Sequence, residues 1–377
     1  MIRVGVTGQP GFIGTHLFNT LGLHEGIKRI PCKDEFFESI EDLKGFVSCC
    51  DVIVHLAGMN RHQDPQMIYK TNLRLTQQLV TAMEETEAKP QVIFSSSTQE
   101  ERDNPYGRSK MQAREILAEW AEKANASFSG LVIPNVFGPF GRPYYNSFVA
   151  TFCHQLAHDE NPRIDEDNPV DLIYVGSLCR IILDRIFSNA EKNVLLRENE
   201  ARIPYDFSRS VSEILDLLRY YRDDYLHHGI IPKLANKDDV NLFNTFRSYM
   251  EIGKSFPVDL KSHSDTRGSF VEVMRLGIGG QVSFSTTLPG ITRGNHFHTR
   301  KIERFVVIKG KARIQLRRIG DPEVFSFDLV GSEPGYVDMP IWYTHNITNI
   351  GEEDLYTMFW INEFYDSKDP DTYFEKV

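Results

Sequence analysis

The sequence predicts an α/β domain built on a doubly wound parallel sheet, followed by a C-terminal all-β barrel. Three observations carry this expectation. The chain opens with an apolar run, Ile2 to Thr7, that leads into a glycine-rich turn and then into apolar residues at helical spacing. Further short apolar runs alternate with helical segments, the signature of a parallel sheet covered on both faces. Near residue 256 the texture changes to short alternating segments punctuated by turn residues, as in a β-sandwich or barrel.

The first turn is Gly8-Gln9-Pro10-Gly11-Phe12-Ile13-Gly14, and Leu17, Leu21 and Leu23 carry the helical spacing onward. Such a turn between strand and helix lets backbone N–H groups approach a pyrophosphate, with the positive end of the helix behind them. A second strand is expected at 28–31, and later runs stand at Asp51 to Gly58, Gln91 to Ser95 and Gly130 to Ile133. Helices are expected near 72–85 and 109–124, and another at 240–251. Gly253-Lys254-Ser255-Phe256-Pro257 reads as a linker, giving expected domains of 1–252 and 256–377. Strands of the second domain are expected at 269–273, 281–285, 304–308, 313–316 and 356–360.

Composition narrows the classes. With 377 residues, 41% of them hydrophobic and 25% charged, the chain can bury two cores. The net charge of −10 argues against a nucleic-acid or anionic-membrane surface. No export signal is apparent at the N-terminus and no apolar run is long enough to span a bilayer, so a cytoplasmic location is expected. The five cysteines, Cys32, Cys49, Cys50, Cys153 and Cys179, form no CxxC and read as reduced thiols.

Two chemical patterns stand out. Tyr106 and Lys110 are four residues apart, so on a helix they share a face and the ammonium is expected to lower the phenol's pKa. In the last third, strand alternation puts His296 and His298 on one face with Phe297 turned away, and Glu303 and His345 can join them from neighbouring strands. Three imidazoles and a carboxylate suit zinc, manganese, iron or nickel, with zinc preferred because no redox partner is evident.

With His55-Leu56-Ala57-Gly58 and Tyr106-x-x-x-Lys110, the GxxGxxG turn resembles the extended short-chain dehydrogenase/reductase family. The resemblance implies a Rossmann-type domain with Gly8, Gly11, Phe12, Ile13, Gly14, Leu56 and Ala57 against the nucleotide. It implies Tyr106 as proton donor to the carbonyl that receives hydride, Lys110 on the ribose, and a hydroxyl from Ser95-Ser96-Ser97-Thr98 to orient the carbonyl. Alignment favours Ser97, then Thr98, although only nine residues separate Ser97 from Tyr106, a shorter loop than in most of the family. Asn72, in Tyr69-Lys70-Thr71-Asn72, matches the family's helix-borne asparagine; a cap or buried polar group is the alternative. Lys33, near the end of the second strand, suits a 2′-phosphate and therefore NADPH. Pro134-Asn135-Val136-Phe137-Gly138-Pro139 and Asp171-Leu172-Ile173-Tyr174-Val175 resemble segments of the extended subfamily that imply a nucleotide-sugar substrate, with Asn135 on the diphosphate.

The pattern G(X)5HxH(X)4E(X)6G over 290–310, followed by Gly335, Pro340, His345 and Asn349, resembles the cupin family. It departs from the family at Trp342, where a glycine usually follows the proline by two residues. Asp265-Thr266-Arg267-Gly268-Ser269-Phe270-Val271-Glu272 and Arg293-Gly294-Asn295-His296 resemble motifs of the dTDP-4-keto-sugar 3,5-epimerases, which implies Arg267 and Arg293, with Arg304, on the substrate diphosphate. The family's histidine base coincides with His296, a metal-ligand candidate, so the base is open among Tyr343, Tyr336, Asp338 and His263.

Taken together, and with Tyr144 to Cys153 including Asn146, the whole chain resembles the bifunctional UDP-sugar enzymes of bacterial capsule and O-antigen synthesis. That resemblance implies C3 epimerisation of a UDP-4-keto-6-deoxy-N-acetylhexosamine in the cupin, then NADPH reduction at C4 to UDP-2-acetamido-2,6-dideoxy-L-talose. It also implies a homodimer through the cupin. Two other classes fit parts of the sequence. One is an NADPH-sensing regulator with a cupin dimer module, which the intact Ser97, Tyr106 and Lys110 set disfavours. The other is a nucleotide-sugar 4-epimerase or dehydratase with resident NAD, which Lys33 disfavours.

Overall fold

The computed structural model describes residues 1–192 and 195–377. They form two compact units, Met1–Phe148 with Glu166–Val211, and Val149–Asp165 with Ser212–Val377.

Strands of the first unit are β1 (Ile2–Thr7), β2 (Ile27–Ile30), β3 (Val52–His55), β4 (Gln91–Ser97), β5 (Phe128–Ile133), β6 (Asn135–Phe137), β7 (Pro169–Tyr174), β8 (Arg197–Arg202) and β9 (Phe207–Ser210). Its helices include α1 (Phe12–Leu21), α2 (Ile40–Ser48), α3 (Pro65–Glu85) and α4 (Pro105–Ala124). The main sheet runs β2-β1-β3-β4-β5-β8, with every pairing parallel. Val4, Val6, Ile53, Val54, Val92, Ile93, Leu131 and Val132 are buried, the near-continuous apolar strands that a sheet covered on both faces requires. Strand order turns back on itself between β1 and β3, so a ligand crevice opens at their carboxyl ends.

Helices α3 and α4 begin earlier than the apolar spacing suggests. Asp64 accepts from the Gln66 N–H and Asn104 from the Gly107 N–H, and a proline follows each cap. A proline at the first helical position lacks only an N–H that would have no intrahelical partner. Tyr106 therefore stands in the first turn of α4.

The second unit contains α5 (Phe148–Ala157) from Val149 onward, α6 (Val175–Lys192) belonging to the first. It continues with α7 (Val211–Tyr221) from Ser212, then β10 (Ile230–Ile231), α8 (Lys237–Arg247), α9 (Ile252–Ser255), β11 (Val258–Asp259), β12 (Ser262–Asp265), β13 (Gly268–Val271) and β14 (Arg275–Leu276). The remaining strands are β15 (Gln281–Thr287), β16 (Thr292–Phe297), β17 (Glu303–Lys309), β18 (Lys311–Arg318), β19 (Val324–Val330), β20 (Gly335–Met339), β21 (Tyr343–Asn349), β22 (Leu355–Ile361) and β23 (Tyr373–Phe374). Two five-stranded sheets result, β11-β20-β17-β22-β15 and β19-β18-β21-β16-β23. Val306, Ile314, Leu316, Val337 and Leu355 lie in their shared core.

The expected linker at 253–257 is not one. Residues 252–255 form the short helix α9, and Ile252 and Phe256 are buried in the all-β core. Apolar residues flanking a Gly-Lys-Ser stretch anchor it where composition alone suggested freedom.

Candidate active site and metal centre

The nucleotide turn is shaped by what a side chain would obstruct. Gly8 has φ +67°, and a Cβ there would stand 2.8 Å from the Ala57 backbone, so glycine lets the ends of β1 and β3 meet. Thr7 fastens the same junction. Its hydroxyl hydrogen-bonds Nδ1 of His55 at 2.7 Å and accepts from the Leu56 and Ala57 N–H groups at 3.2 Å each. Gly11 precedes α1 and no side chain caps that helix, so its first-turn N–H groups, including those of Phe12, Ile13 and Gly14, suit a pyrophosphate. This cradle fits a dinucleotide. Lys33 is exposed just past β2, where its backbone caps the 3-10 turn Asp34–Glu38.

The three residues expected to carry reduction converge beside this junction. Ser97 ends β4, its hydroxyl accepts from the Gln99 N–H at 3.2 Å, and it stands beside the Tyr106 phenol. Burial pushes the phenol up to about 12, and the neighbouring Ser97 hydroxyl pulls it the other way. The expectation that Lys110 depresses the phenol is therefore corrected: the ammonium stands 5.9 Å from the ring centre and donates to the Ser95 carbonyl at 2.9 Å. Burial brings Lys110 itself down to about 8, against the opposing charge of Glu100. Asn72 is buried; its Oδ1 accepts from the Met59 N–H at 2.6 Å, while its Nδ2 donates to the Met59 carbonyl at 3.0 Å and to Ser109 Oγ at 2.9 Å. It fixes the segment after Leu56-Ala57-Gly58 to the helix that carries Lys110.

Sequence reading missed the support behind these groups. Glu100, in the 3-10 turn after Ser97, takes Arg114 in a bidentate pair at 3.1 and 2.8 Å, with both side chains 8% exposed. Arg114 also donates to the Asn199 carbonyl and side chain at 3.1 Å, and Ser96 hydrogen-bonds Glu100. The signal lay in Arg114 standing one helical turn beyond Lys110. Among the expected substrate residues, Asn135 and Asn146 are both exposed. Arg61 holds the segment before Asn146 by donating to the carbonyls of Tyr144 and Tyr145 at 3.0 and 2.7 Å.

In the second unit His296, His298, Glu303 and His345 come together, one ligand atom from each lying within 4.8 Å of the others. The histidines come from β16, its end and β21, and Glu303 starts β17 in the other sheet. A bulge between β16 and β21 re-aims the pair of histidines: Gly294 faces Asn346, His296 faces His345, and Asn295 is the extra residue. Gly294 has φ +95°, and a Cβ there would lie 2.7 Å from the His345 carbonyl oxygen, which explains glycine before the bulge. Trp342 takes φ +61°, so the turn forms with tryptophan in the left-handed conformation usually left to glycine. Its burial against Phe297, 5.6 Å between rings, holds it there.

Chemistry favours a cation at this point. Nε2 of His298, Nε2 of His345 and Oε2 of Glu303 are buried without hydrogen-bond partners. Burial and the neighbouring histidines lower His296 to about 4, and the nearby imidazoles hold Glu303 well below the usual carboxylate range in spite of its burial. Burial disfavours the His298 imidazolium, but the Glu303 carboxylate more than offsets this and raises its pKa. With the imidazoles neutral, three such rings and a carboxylate fit a divalent ion.

The arginines differ. Arg267 is exposed and paired with Asp265 at 2.6 Å, and Arg293 is exposed, donating to Thr287 Oγ1 at 3.1 Å and the Thr286 carbonyl at 3.0 Å. Arg304 is corrected. It is 1% exposed, pairs with Asp338 at 2.7 and 2.9 Å, donates to the Gly229 carbonyl at 3.0 Å and stacks over Tyr336 at 3.7 Å. Alternation explains this: Glu303 faces the metal side of β17, so Arg304 faces the opposite side. Tyr225 donates to Asp338 at 2.7 Å in the same cluster, which removes Asp338 and Tyr336 from the candidates for the base. His263 lies exposed on β12, and Tyr343 is half-buried at the start of β21.

Comparison with known proteins agrees with this layout. Residues 4–193 match the model of the NAD dependent epimerase/dehydratase family, and residues 263–373 that of the polysaccharide biosynthesis C-terminal domain. A UDP-2-acetamido-2,6-beta-L-arabino-hexul-4-ose reductase of Pseudomonas aeruginosa is 34% identical over 99% of this chain and 98% of its own. The crystal structure of the capsular polysaccharide assembling protein CapF from Staphylococcus aureus superposes with a TM-score of 0.62 at 32% identity, covering both chains completely. A CapF structure with the inhibitor 3-isopropenyl-tropolone gives 0.58 at 30% identity, again over all of both chains. Among the described residues no helix is long and apolar enough to cross a membrane.

Proposed function

This chain belongs to the NAD dependent epimerase/dehydratase family, and from that premise we propose that it is a bifunctional, cytoplasmic nucleotide-sugar enzyme of polysaccharide synthesis. Its substrate is a UDP-4-keto-6-deoxy-N-acetylhexosamine. The cupin-like unit inverts C3, and the nucleotide-binding unit then reduces the C4 ketone with NADPH to UDP-2-acetamido-2,6-dideoxy-L-talose.

One observation carries the reductive half: Ser97 and Tyr106 stand beside each other next to the buried Lys110, at the carboxyl end of the central strands. The hydride would come from NADPH seated on the turn Gly8 to Gly14. Tyr106 supplies the proton that the new alkoxide needs, Ser97 orients the carbonyl, and Lys110 holds the ribose. Asn72 keeps the floor at Leu56 and Ala57 in place, Lys33 meets the 2′-phosphate, and Asn135 and Asn146 contact the substrate.

A zinc ion held by His296, His298, Glu303 and His345 would lend its charge to the ketone oxygen while C3–H is removed. Arg267 and Arg293 then hold the diphosphate. Epimerisation comes first, because the C4 ketone that acidifies C3–H is destroyed by reduction. A homodimer through this unit is supported by β15, an edge strand with Phe284 73% exposed, and by the largely exposed hairpin of β12 and β13 with Phe270 69% exposed.

The test is NADPH absorbance with the UDP-4-keto sugar and the purified chain. Stoichiometric loss of NADPH with formation of the 4-hydroxy sugar is expected. Interconversion of nucleotide sugars without net NADPH consumption would overturn the assignment in favour of a 4-epimerase.

A further inference from the structure

The C-terminal segment is bound to the loop that joins two of the metal-ligand candidates. Residues 299–302 lead from His298, at the end of one sheet, to Glu303, at the start of the other. Asp371 sits over this loop, 2% exposed, and its carboxylate takes four donors. Oδ1 accepts from the Thr299 N–H at 3.0 Å and the Thr299 hydroxyl at 2.6 Å, and Oδ2 accepts from the N–H groups of Arg300 at 3.0 Å and Lys301 at 3.1 Å. The neighbouring residues tighten the clamp: Lys301 Nζ donates to the Pro370 carbonyl at 2.7 Å and Arg300 pairs with Asp369 at 3.0 Å.

The backbone of the same residue reaches a ligand directly. The Asp371 carbonyl oxygen lies 2.5 Å from Nδ1 of His298. A carbonyl only accepts, so Nδ1 carries a proton, and in the neutral imidazole Nε2 presents its lone pair toward Glu303 and His345. Asp371 has φ +40°, a left-handed conformation that turns its carbonyl toward the imidazole while its carboxylate faces the loop.

We propose that Asp371 is the positioning residue of the metal centre, its carbonyl fixing the tautomer and orientation of His298 and its carboxylate fixing the loop that sets Glu303 against that histidine. This inference rests on the reading of His296, His298, Glu303 and His345 as ligands of one ion. It adds to that set a residue 73 positions from His298 in sequence, through which the segment around Asp371 becomes part of the site.

The experiment uses the full-length chain stripped of metal. Zinc affinity is measured by competition with a chromophoric chelator, and the geometry by the visible absorption of added cobalt(II). Asp371→Gly tolerates the left-handed backbone and deletes the carboxylate; Asp371→Asn keeps the shape but turns an amide toward N–H donors. Loss of an outer-shell partner of this kind weakens metal binding by about 10- to 100-fold. Both variants should show that loss, together with a cobalt spectrum shifted from wild type, while the helical circular dichroism signal stays unchanged. Should Asp371→Gly fail to fold, Asp371→Asn decides. A variant that binds zinc with wild-type affinity and gives the wild-type cobalt spectrum overturns the role of Asp371. If the wild-type chain itself binds neither ion, the metal centre fails and the inference with it.

Discussion

Nε2 of His298 lies 3.1 Å from Oε2 of Glu303, and the same oxygen lies 3.3 Å from Nε2 of His345. With Nδ1 of His298 donating elsewhere, the neutral imidazole would face its Nε2 lone pair to the carboxylate oxygen. Such an arrangement is stable only with a positive species between them, and a divalent ion satisfies all three atoms. The purified chain should hold about one equivalent of metal, and His345→Ala should lose it. Because binding contributes to folding, chelation should lower the melting temperature of the wild type and leave that of His345→Ala unchanged. Equal shifts in the two proteins would place the ion elsewhere.

Tyr106→Phe should lower NADPH oxidation by at least ~100-fold, the scale of a lost general acid. Tyr106 is half-buried beside Ser97, and Phe keeps the ring, so circular dichroism and melting should match wild type. Near-wild-type turnover would remove Tyr106 from the chemistry.

Lys110 makes the reduction depend on pH with a definite sign. Burial lowers it from 10.5 to about 8, so the charged form that holds the ribose is lost as pH rises through that value. The rate of NADPH oxidation should fall above pH ~8 while binding of zinc does not. Stability has the opposite sign. A lysine depressed in the folded state binds its proton more tightly when unfolded, so its contribution rises with pH between about 8 and 10.5 and is a penalty below. Lys110→Met should therefore melt no lower than wild type at pH 7 although nearly inactive. A melting temperature more than a few degrees below wild type would mean that the Ser95 bond outweighs the cost of the buried charge.

Most of the fold was legible because its signals are local. Glycine at 8, 11 and 14 and apolar runs at the strands mark β1, β3, β4 and β5, and alternation marks β15, β17 and β22. The starts of α3 and α4 were not, because caps at Asp64 and Asn104 precede the apolar stripe by a turn or more. The metal-ligand candidates were legible as residue types at strand spacing. Arg304 was misread as a diphosphate ligand alongside Arg267 and Arg293; it directly follows Glu303, and successive residues on a strand face opposite sides. The roles of Thr7, Arg114 and Asp371 depend on contacts between segments far apart in the chain, and no local pattern records these.

The Glu100–Arg114 pair should matter to both stability and rate. Removing one partner of a buried pair costs about 3–5 kcal/mol, so Arg114→Ala should melt markedly lower than wild type. Glu100 stands in the turn that Ser97 caps, so the surviving folded protein should also show a lower kcat for reduction. A double-mutant cycle with Glu100→Ala should give a coupling of at least ~1 kcal/mol. Additive effects would show that the two side chains act independently.

The order of the two steps can be separated in the intact chain, since each half has a residue the other does not use. Proton removal at C3 needs the C4 ketone, whose polarisation spreads the developing charge onto oxygen; once that ketone is an alcohol, C3–H is no longer acidic. Epimerisation must therefore precede reduction and must run without NADPH. In D₂O, with the UDP-4-keto sugar and no nicotinamide, wild type and Tyr106→Phe should both introduce deuterium at C3, seen by NMR. His296→Ala should not. With NADPH added, Tyr106→Phe should still exchange C3 but accumulate ketone, whereas His296→Ala should leave the C3 configuration of any reduced product unchanged. Deuterium exchange that requires Tyr106, or wild-type reduced product from His296→Ala, would break the assignment of the two chemistries to two separate sites.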